Sequence, residues 1–196
     1  MRDLIITENI TLDGVIDASE GWFDPAGAGA EGDRSDLEAA LREQMAAADA
    51  FLVGRVTFEE MRGYWPKRTD DTTGVSAYLN TVSKYVVSRT LDDPAWEHTT
   101  VLRGDLAEEV RALKSAPGQD IVTTGSMTLT AGLIAAGLVD EYRLFVHPVV
   151  LGRGRQLFSD TTGVRKLRLA ETRPFTSGIV LLRYRTAQRP DAGAAA

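Results

Sequence analysis

The sequence predicts a single α/β domain, with a mostly parallel twisted sheet, helices on both faces and an antiparallel C-terminal hairpin. Apolar strand-like runs alternate with helical patterns as far as Gly137, which favours parallel strands joined by crossover helices. Three strand-like runs then follow one another over 140–150, 166–175 and 178–186, and Ser177-Gly178 supplies a turn between the last two. A length of 196 residues suits one domain with a sizeable core.

The first half of the chain predicts three strands and three helices. Leu4–Ile6 reads as a short central strand, and residues 9–32 form a loop rich in Gly, Asp and Pro. Apolar residues recur at helical spacing from Leu37 to Ala48, which predicts an amphipathic helix over 34–48. The elements that follow are strand 50–54, helix 55–63, helix 73–81 and strand 84–88.

The second half adds two helices and the remaining strands. After a brief strand at 99–102, Asp105 with Glu108 three residues later predicts a capping-box start for a helix to about 115. Strand 120–124 and helix 126–136 come next, and Gly137 is suited to end that helix. We expect the domain to span 1–186 and the tail from Ala187 to be disordered.

Composition excludes several classes of function. A net charge of −6 argues against general nucleic-acid binding, which needs a basic face. The absence of cysteine excludes disulfides, thiolate nucleophiles and cysteine-ligated metals, and the two histidines, His98 and His147, offer no metal-ligand spacing. The chain has neither a signal-peptide-like core nor a run of about 18 apolar residues, so we expect a cytoplasmic protein without membrane spans.

The stretch 51–58 carries the first functional signal. A buried-strand pattern ends at Gly54, and Arg55 and Thr57 open the next helix. Free N–H groups and the helix dipole make such a corner an anion site, and a guanidinium and a hydroxyl add donors. Taken alone, the stretch fits an ordinary strand-to-helix turn equally well.

Two further strand ends have the same character. Gly125-Ser126 follows the strand at 121–124, where Ser126 can cap the next helix and Gly125 permits close approach of a ligand. Ser88-Arg89-Thr90 follows the apolar run 85–87. Ligands of open α/β sheets bind at the carboxyl ends of strands, so three such ends predict a large anionic ligand such as a dinucleotide.

Other motifs leave two interpretations open. Gly27–Gly32 matches G-x-G-x-x-G, but no strand precedes it, which favours a flexible loop or an active-site lid over a Rossmann turn. Thr11–Gly14 is either a turn or a backbone segment beside a bound ring. Asp36, with Glu38 as its rival, is either a helix-dipole partner or a proton source. Gly152–Arg155 is either a basic loop for a substrate phosphate or a solvated turn.

Taken in order, these motifs resemble the dihydrofolate-reductase-like superfamily. Gly54–Phe58 looks like its Gly-Arg-x-Thr-aromatic cofactor motif, Ser88–Thr90 like its second phosphate-contacting strand end, and Gly125-Ser126 like its Gly-Gly or Gly-Ser pair. Residues 138–154 are similar to the reductase (C-terminal) domain of the bifunctional deaminase–reductase of riboflavin biosynthesis, and Thr11–Gly14 to the Ser-Leu-Asp-Gly of that group. The resemblance covers about residues 2–186.

The resemblance implies an NADPH-dependent reductase of a heterocycle, by analogy 5-amino-6-(5-phosphoribosylamino)uracil. The alternatives are dihydrofolate-reductase-type activity on a pterin and a non-catalytic nucleotide-binding relative. A deaminase step would need zinc-binding cysteines, so it belongs to another protein. Relatives pair through sheet edges, which implies a homodimer.

The resemblance also implies a role for individual residues. Asp36 is the implied catalytic acid, and Asp13, Gly14 and Trp22 are the implied substrate pocket, to which the basic loop adds Arg153. The implied NADPH contacts lie at the three strand ends, and they are Gly54, Arg55, Thr57, Ser88, Arg89, Thr90, Gly125, Ser126, Thr128 and Leu129.

Overall fold

The computed structural model describes residues 1–18, 21–23, 33–69, 71, 73–158 and 166–187. The strands are β1 Leu4–Thr11, β2 Ala48–Gly54, β3 Ser83–Val87, β4 Thr99–Leu102, β5 Asp120–Thr123, β6 Glu141–His147, β7 Leu167–Pro174 and β8 Val180–Thr186. The helices are α1 Ser35–Ala46, α2 Arg55–Tyr64, α3 Val75–Thr81, α4 Leu106–Ser115 and α5 Met127–Ala135.

The strands form one sheet in the order β4-β3-β2-β5-β1-β6-β8-β7. The six strands from β4 to β6 are mutually parallel, and β8 runs antiparallel to both β6 and β7. The predicted α/β class and the predicted hairpin are therefore confirmed. Strand β5 lies between β1 and β2, so the winding of the chain reverses there, and open α/β sheets place their ligand crevice at such a point.

Strand β1 is longer than the sequence predicts. Its carboxyl half, Thr7–Thr11, pairs in parallel with residues 143–147 of β6, whereas the sequence predicts a loop from residue 9 onward. Four of the five residues in this half are polar, namely Thr7, Glu8, Asn9 and Thr11, and only Ile10 is apolar. A search for an apolar run therefore stops at Ile6, where the burial of both faces ends.

Helices cover both faces of the sheet because side chains alternate along each strand. On one face, α4 and α5 pack on strand residues that include Ile6, Leu52 and Ile121. On the other face, α2 and α3 pack on Val53 and its neighbours, and α1 packs beside Phe145. The two layers hold the parallel strands in register, and hence hold their carboxyl ends together.

The predicted helix ends of α4 and α5 are confirmed, with one difference. Asp105 Oδ1 accepts hydrogen bonds from the N–H groups of Ala107 and Glu108 at 2.9 and 3.1 Å. The carboxylate that reaches back is that of Glu109, not Glu108, and it accepts from the Gly104 N–H at 3.0 Å. Gly137 has φ of 66° and follows α5, where a residue in the left-handed region ends the helix without strain.

Some sequence predictions fall on residues that lie outside the described ranges. These are the Gly27–Gly32 loop and the tail beyond Ala187. Within the described ranges, no helix combines the length and apolar character needed to cross a bilayer. The same residues include no group of three or more His, Asp or Glu side chains arranged to hold a metal ion.

One carboxylate is fully buried between strands at the antiparallel end of the sheet. Glu141 is 1% exposed, and its Oε1 accepts from Arg143 Nε at 2.6 Å and Arg183 Nε at 2.9 Å. Burial alone would raise the pKa of Glu141, but the hydrogen bonds from Arg183 and Arg143 outweigh it and lower the pKa. Glu141 is therefore ionised and structural.

We expect Glu141→Gln to lower the free energy of unfolding by about 3 kcal/mol, because the buried Arg143 and the half-buried Arg183 lose their charge partner. Asp120 and Glu171 remain close to the two guanidinium groups and limit the loss. The matched control is Glu43→Gln, whose ion pair with Arg173 is exposed and should change stability by less than about 1 kcal/mol.

Denaturant unfolding measures both variants. Since the folded-state pKa of Glu141 is lowered, its stabilising effect is present at neutral pH and is lost as the pH falls. The difference between parent and variant should therefore close in acid. Equal effects of the Glu141 and Glu43 substitutions would contradict the structural role.

Candidate active site

A cavity of about 900 Å³ opens at the carboxyl ends of β1, β2 and β5. Its walls come from residues 8–9 of β1, loop residues 16–18 and 22–23, residues 56–57, 60–61 and 64–65 in and just after α2, residues 124–128 at the start of α5, and Arg155. A volume of this size suits a large ligand. We call this cavity the cleft.

Two strand ends touch each other at the cleft. A Cβ atom on Gly54 would lie 2.3 Å from Ser126 Oγ and 3.0 Å from Ser126 Cβ, so no side chain fits at position 54. Gly125 has φ of 112°, and a Cβ placed on it would lie 3.5 Å from Thr57 Oγ1. The structure therefore brings the starts of α2 and α5 together, with Gly54 and Gly125 at the contact.

The helices that begin at this contact differ from α1 and α4 in their first turns. Neither α2 nor α5 has a side-chain cap or an acidic residue in its first turn. By contrast, α1 and α4 each carry two acidic residues there, and α4 is also capped by Asp105. Ser126 occupies the predicted N-cap position, but its hydroxyl makes no capping hydrogen bond. Two N-termini with uncapped N–H groups thus adjoin the cleft, which favours an anion.

Arginines follow the ends of three adjacent parallel strands. Arg55, Arg89 and Arg103 come after β2, β3 and β4. Arg55 donates to Glu59 Oε2 at 2.8 Å on the exposed side of α2. Arg103, which sequence reasoning missed, donates to the carbonyls of Arg89 and Leu91 at 3.1 and 2.6 Å. The signal that could have found Arg103 is the recurrence of arginine after a strand.

The predicted cofactor residues of β3 lie one strand away from the cleft. Ser88 Oγ accepts from the N–H groups of Thr90 and Leu91 at 3.1 and 3.0 Å, which fixes the turn that carries Arg89. Arg89 and Thr90 are exposed. Ser88–Thr90 are not among the cleft-lining residues, so they can reach only a ligand that extends beyond it over β2 and β3.

The two remaining predicted cofactor residues have different surroundings. Thr128 is exposed and lines the cleft. Leu129 is 5% exposed and packs in the core with Leu133, so its side chain is structural.

Of the predicted substrate residues, the structure places Trp22 in the cleft. Its Nε1 donates to the Asp17 carbonyl at 2.7 Å, and its ring lies edge-on to the His147 ring at 5.1 Å. Phe23 lies beside both rings and also lines the cleft. Together they form an aromatic wall.

Asp13, Gly14 and Arg153 are not among the lining residues. The Asp13 carboxylate accepts from Thr11 Oγ1 at 2.6 Å and from the Gly152 N–H at 2.7 Å, and these bonds lower its pKa. The turn thereby joins β1 to the loop after β6. That loop places Arg155, rather than Arg153, in the cleft, where its guanidinium lies 3.9 Å from Asp17.

Asp36 lies in the first turn of α1 and is also outside the cleft lining. Its Oδ2 accepts from the N–H and the Oγ1 of Thr176 at 2.8 and 2.9 Å, and these hydrogen bonds lower its pKa. The carboxylate joins α1 to the turn between β7 and β8. Its rival Glu38 lies 3.7 Å from Arg42. The catalytic role of Asp36 stays a prediction.

Two residues of β1 that the sequence did not single out line the cleft. Asn9 Oδ1 lies 3.0 Å from His147 Nε2, and burial lowers the pKa of His147 to about 4. Glu8 is 8% exposed, its Oε1 has no hydrogen-bond partner, and burial raises its pKa to about 8. The sequence signal for Glu8 is a carboxylate between Ile6 and Ile10 at an apolar position of the strand.

A smaller cavity of about 120 Å³ lies beside the cleft, between α1, α2 and α3. Met61 and Thr124 line both cavities. The other walls are mostly apolar and include Leu41, Met45 and Phe51. We call it the apolar annex, and it can receive an apolar part of a ligand bound in the cleft.

Comparisons with known proteins agree with this architecture. The family model of the RibD C-terminal domain matches residues 2–181. The chain is 34% identical to uncharacterized protein YyaP of Bacillus subtilis (strain 168) over 93% of this chain and 94% of that protein, and 27% identical to YwjB of the same organism over 92% and 96%.

Solved structures share the fold at low identity. A putative riboflavin biosynthesis protein from Shewanella sp. PV-4 matches with a TM-score of 0.74 at 16% identity, over 95% of this chain and 99% of that one. A second match is a diaminohydroxyphosphoribosylaminopyrimidine deaminase/5-amino-6-(5-phosphoribosylamino)uracil reductase from Thermotoga maritima. Its TM-score is 0.64 at 17% sequence identity, and the match covers 95% of this chain and 57% of that one. Dihydrofolate reductase from Enterococcus faecalis, complexed with NADP(H), matches with a TM-score of 0.59 at 18% sequence identity. That match covers 94% of this chain and 96% of the other.

The Gly54–Ser126 contact predicts a steric effect. Gly54→Ala should lower the free energy of unfolding by about 1–3 kcal/mol, because the new methyl group overlaps Ser126. Gly63→Ala is the control on the same helix, since nothing lies within 4 Å of that position, and it should stabilise by about 0.5–1 kcal/mol. In a Ser126→Gly background the cost of Gly54→Ala should shrink. If Gly54→Ala and Gly63→Ala changed the free energy of unfolding equally in denaturant, the starts of α2 and α5 would not be in contact.

The half-buried imidazole of His147 predicts a distinct titration. Because the folded-state pKa of His147 is lowered to about 4, the unfolded chain protonates first, and stability falls as the pH drops from about 6.5 to about 4. Proton NMR of the ring should show His147 unchanged down to about pH 5. The chain has only two histidines, so His98→Gln assigns the signals. Titration of His147 near 6.5 would mean that its ring is solvated.

Proposed function

The chain belongs to the RibD C-terminal domain family, and we propose that it is an NADPH-dependent reductase of a nitrogen heterocycle such as 5-amino-6-(5-phosphoribosylamino)uracil. The observation that carries the proposal is the contact between the uncapped starts of α2 and α5 at the cleft. That contact supplies two adjacent sets of N–H donors, which suits the two phosphates of a dinucleotide.

The residues at the contact fit a pyrophosphate. The Gly125 backbone lines the cleft without a side chain, and the hydroxyls of Thr57, Ser126 and Thr128 add donors along it. Bound NADPH would supply the hydride, and the protein would supply its orientation and the exclusion of water. The fit depends on N–H groups whose positions are set by the fold.

Arg55 and Arg89 are suited to the 2′-phosphate that distinguishes NADPH from NADH. Both are exposed, and Arg103 fixes the backbone that carries Arg89. The ion pair of Arg55 with Glu59 is exposed and contributes only about 0.3–0.5 kcal/mol, so a phosphate dianion can replace it. This supports a preference for the phosphorylated cofactor.

The other end of the cleft is suited to a flat ring. Trp22 and Phe23 offer aromatic surface for stacking, and Asn9 offers an amide for hydrogen bonds. The apolar annex lies next to this part of the cleft. Because the Asp36 carboxylate is held by Thr176 and lies outside the cleft lining, it offers no contact that would favour a pterin. The homodimer and the cytoplasmic location stay predictions.

We expect Arg55→Ala and Arg89→Ala each to weaken NADPH binding by roughly 10- to 150-fold, the equivalent of about 1.5–3 kcal/mol per charge-assisted bond. NADH, which lacks the 2′-phosphate, should lose little affinity. Arg111→Ala, an exposed arginine of α4, is the control, and Glu59→Gln should bind NADPH slightly better. Fluorescence titration measures all of these. Equal losses for NADPH and NADH would contradict the assignment to the 2′-phosphate.

Oxidation of NADPH in the presence of 5-amino-6-(5-phosphoribosylamino)uracil or 7,8-dihydrofolate tests the reaction. Turnover of the first substrate supports the proposal. Turnover of dihydrofolate alone would assign the protein to the pterin alternative, and NADPH binding without turnover of either would favour the non-catalytic one. A thermal-shift titration that detected no NADPH binding would overturn the proposal, since a ligand of the folded state must raise the unfolding temperature.

A further inference from the structure

We propose that Glu8 is the acid that delivers the proton of the reduction, acting from an uncharged carboxyl group in the wall of the cleft. This inference rests on the reductase function proposed above and adds to it a catalytic group. The argument uses the position of Glu8 on β1, its lack of a partner and the contrast with the other buried glutamate.

The sheet itself opens β1 to the cleft at Glu8. Strand β1 pairs with β5 only from Leu4 to Ile6, because β5 ends at Thr123 and the chain turns away through Gly125. On its other edge β1 stays paired with β6 as far as Thr11. Residues after Ile6 therefore have one free edge, and Glu8 is the first of them that the structure places in the cleft wall.

The carboxyl group of Glu8 is buried without a partner. Glu8 lies opposite Leu144 in the β1–β6 register and shares its face of the strand with Ile6 and Ile10. Its Oε1 is fully buried and has no hydrogen-bond partner. Burial is the cause that raises its pKa, to about 8, so the uncharged form is favoured at neutral pH.

The two most buried glutamates of the described residues illustrate the difference between a structural and a functional carboxyl. Glu141 accepts hydrogen bonds from two arginines and holds strands together. Glu8 has no such contact, and its burial lowers stability instead of raising it. A leucine would fill the same position at lower cost, so packing does not explain the carboxyl, whereas a protonated acid at the cleft has a use in catalysis.

The reduction needs one proton besides the hydride. The acceptor carbon of the substrate gains a hydrogen and two electrons from the reduced cofactor, and its double bond to the neighbouring heteroatom becomes single. That heteroatom takes the proton of Glu8, and the resulting carboxylate regains one from water through the cleft. Asp36 is less suited to this step, because its carboxylate already accepts hydrogen bonds from Thr176.

Other described residues around Glu8 also carry titratable side chains. Asp17, Glu60, Tyr64 and Arg155 line the same cleft, and α2 adds Arg55, Glu59 and Arg62. Helix α5 carries no titratable residue. On β6, Glu141, Arg143 and His147 alternate with Leu144 and so occupy the opposite face of the sheet. A titration that disappears with Glu8 can therefore be separated from theirs by single substitutions.

Infrared difference spectroscopy tests the uncharged state directly. The wild type at pH 7 should show a carboxylic-acid C=O band that is absent from Glu8→Gln, that shifts when NADPH is added and that is lost above pH 8. Glu60→Gln, which changes an exposed carboxylate of the same cleft, should keep the band. A missing band, or one that NADPH does not shift, would overturn the proposal.

The stability of the same variants gives a second readout. Folded Glu8 keeps its proton up to about pH 8, whereas the unfolded chain loses it near 4.5, so stability falls as the pH rises between these values. The unfolding midpoint of the wild type should therefore fall relative to Glu8→Gln over this range. Parallel pH dependences of the two proteins would count against an uncharged buried acid.

Activity separates this inference from the proposed function. Glu8→Gln should lower kcat for 5-amino-6-(5-phosphoribosylamino)uracil roughly 10²- to 10⁴-fold, while NADPH binds within about twofold of the wild type. Unchanged kcat in Glu8→Gln would refute the role of Glu8 and leave the reductase standing. A wild type that binds no NADPH would instead refute the reductase, and the assigned role of Glu8 with it, while the infrared band would still report the buried acid.

Discussion

The contact between Gly54 and Ser126 is the constraint on which the site depends. Strand β5 lies between β1 and β2, and its continuation into α5 must pass the start of α2. The passage is so close that a Cβ atom at position 54 would lie 2.3 Å from a hydroxyl oxygen. Each helix N-terminus carries roughly half a positive elementary charge, so two uncapped ones at one contact repel each other, and a bound anion would offset that repulsion. An acidic residue at the start of α2 or α5 would stabilise that helix, yet neither helix has one.

This arrangement separates stability from function within one sheet. The antiparallel end holds paired charges such as Glu141 with Arg143, which lie between strands and stabilise the fold. The carboxyl ends of the parallel strands hold groups without such partners, including the Glu8 carboxyl and the start of α5. Unsatisfied groups cost folding free energy, and they are retained where a ligand can satisfy them.

Local patterns in the sequence were enough to predict the parallel sheet, the hairpin and the glycine-bearing strand ends that meet at the cleft. A glycine between a strand and a helix is readable because one short segment contains the whole signal, as at Gly54 and Gly125. The substrate side depends on contacts between distant segments. Asp36 lies 140 residues from Thr176, which holds its carboxylate, and Asp13 lies 139 residues from the Gly152 N–H that it accepts. No spacing rule reveals such pairs, and for the same reason the placement of Arg155 rather than Arg153 in the cleft was missed.

The division between backbone and side-chain recognition bears on which substrate the cleft can accept. The proposed anion site at α2 and α5 would be built largely from N–H groups, which many sequences can supply once the fold is formed. The substrate end is built from side chains, and Arg155 is the only lysine or arginine among the described residues that line the cleft. Its guanidinium lies 3.9 Å from Asp17, so a substrate phosphate would have to compete with that carboxylate. The aromatic wall and the apolar annex offer no such competition to an uncharged ring. For the reductase proposed above, recognition at this end would therefore depend mainly on the heterocycle and much less on a phosphate attached to it.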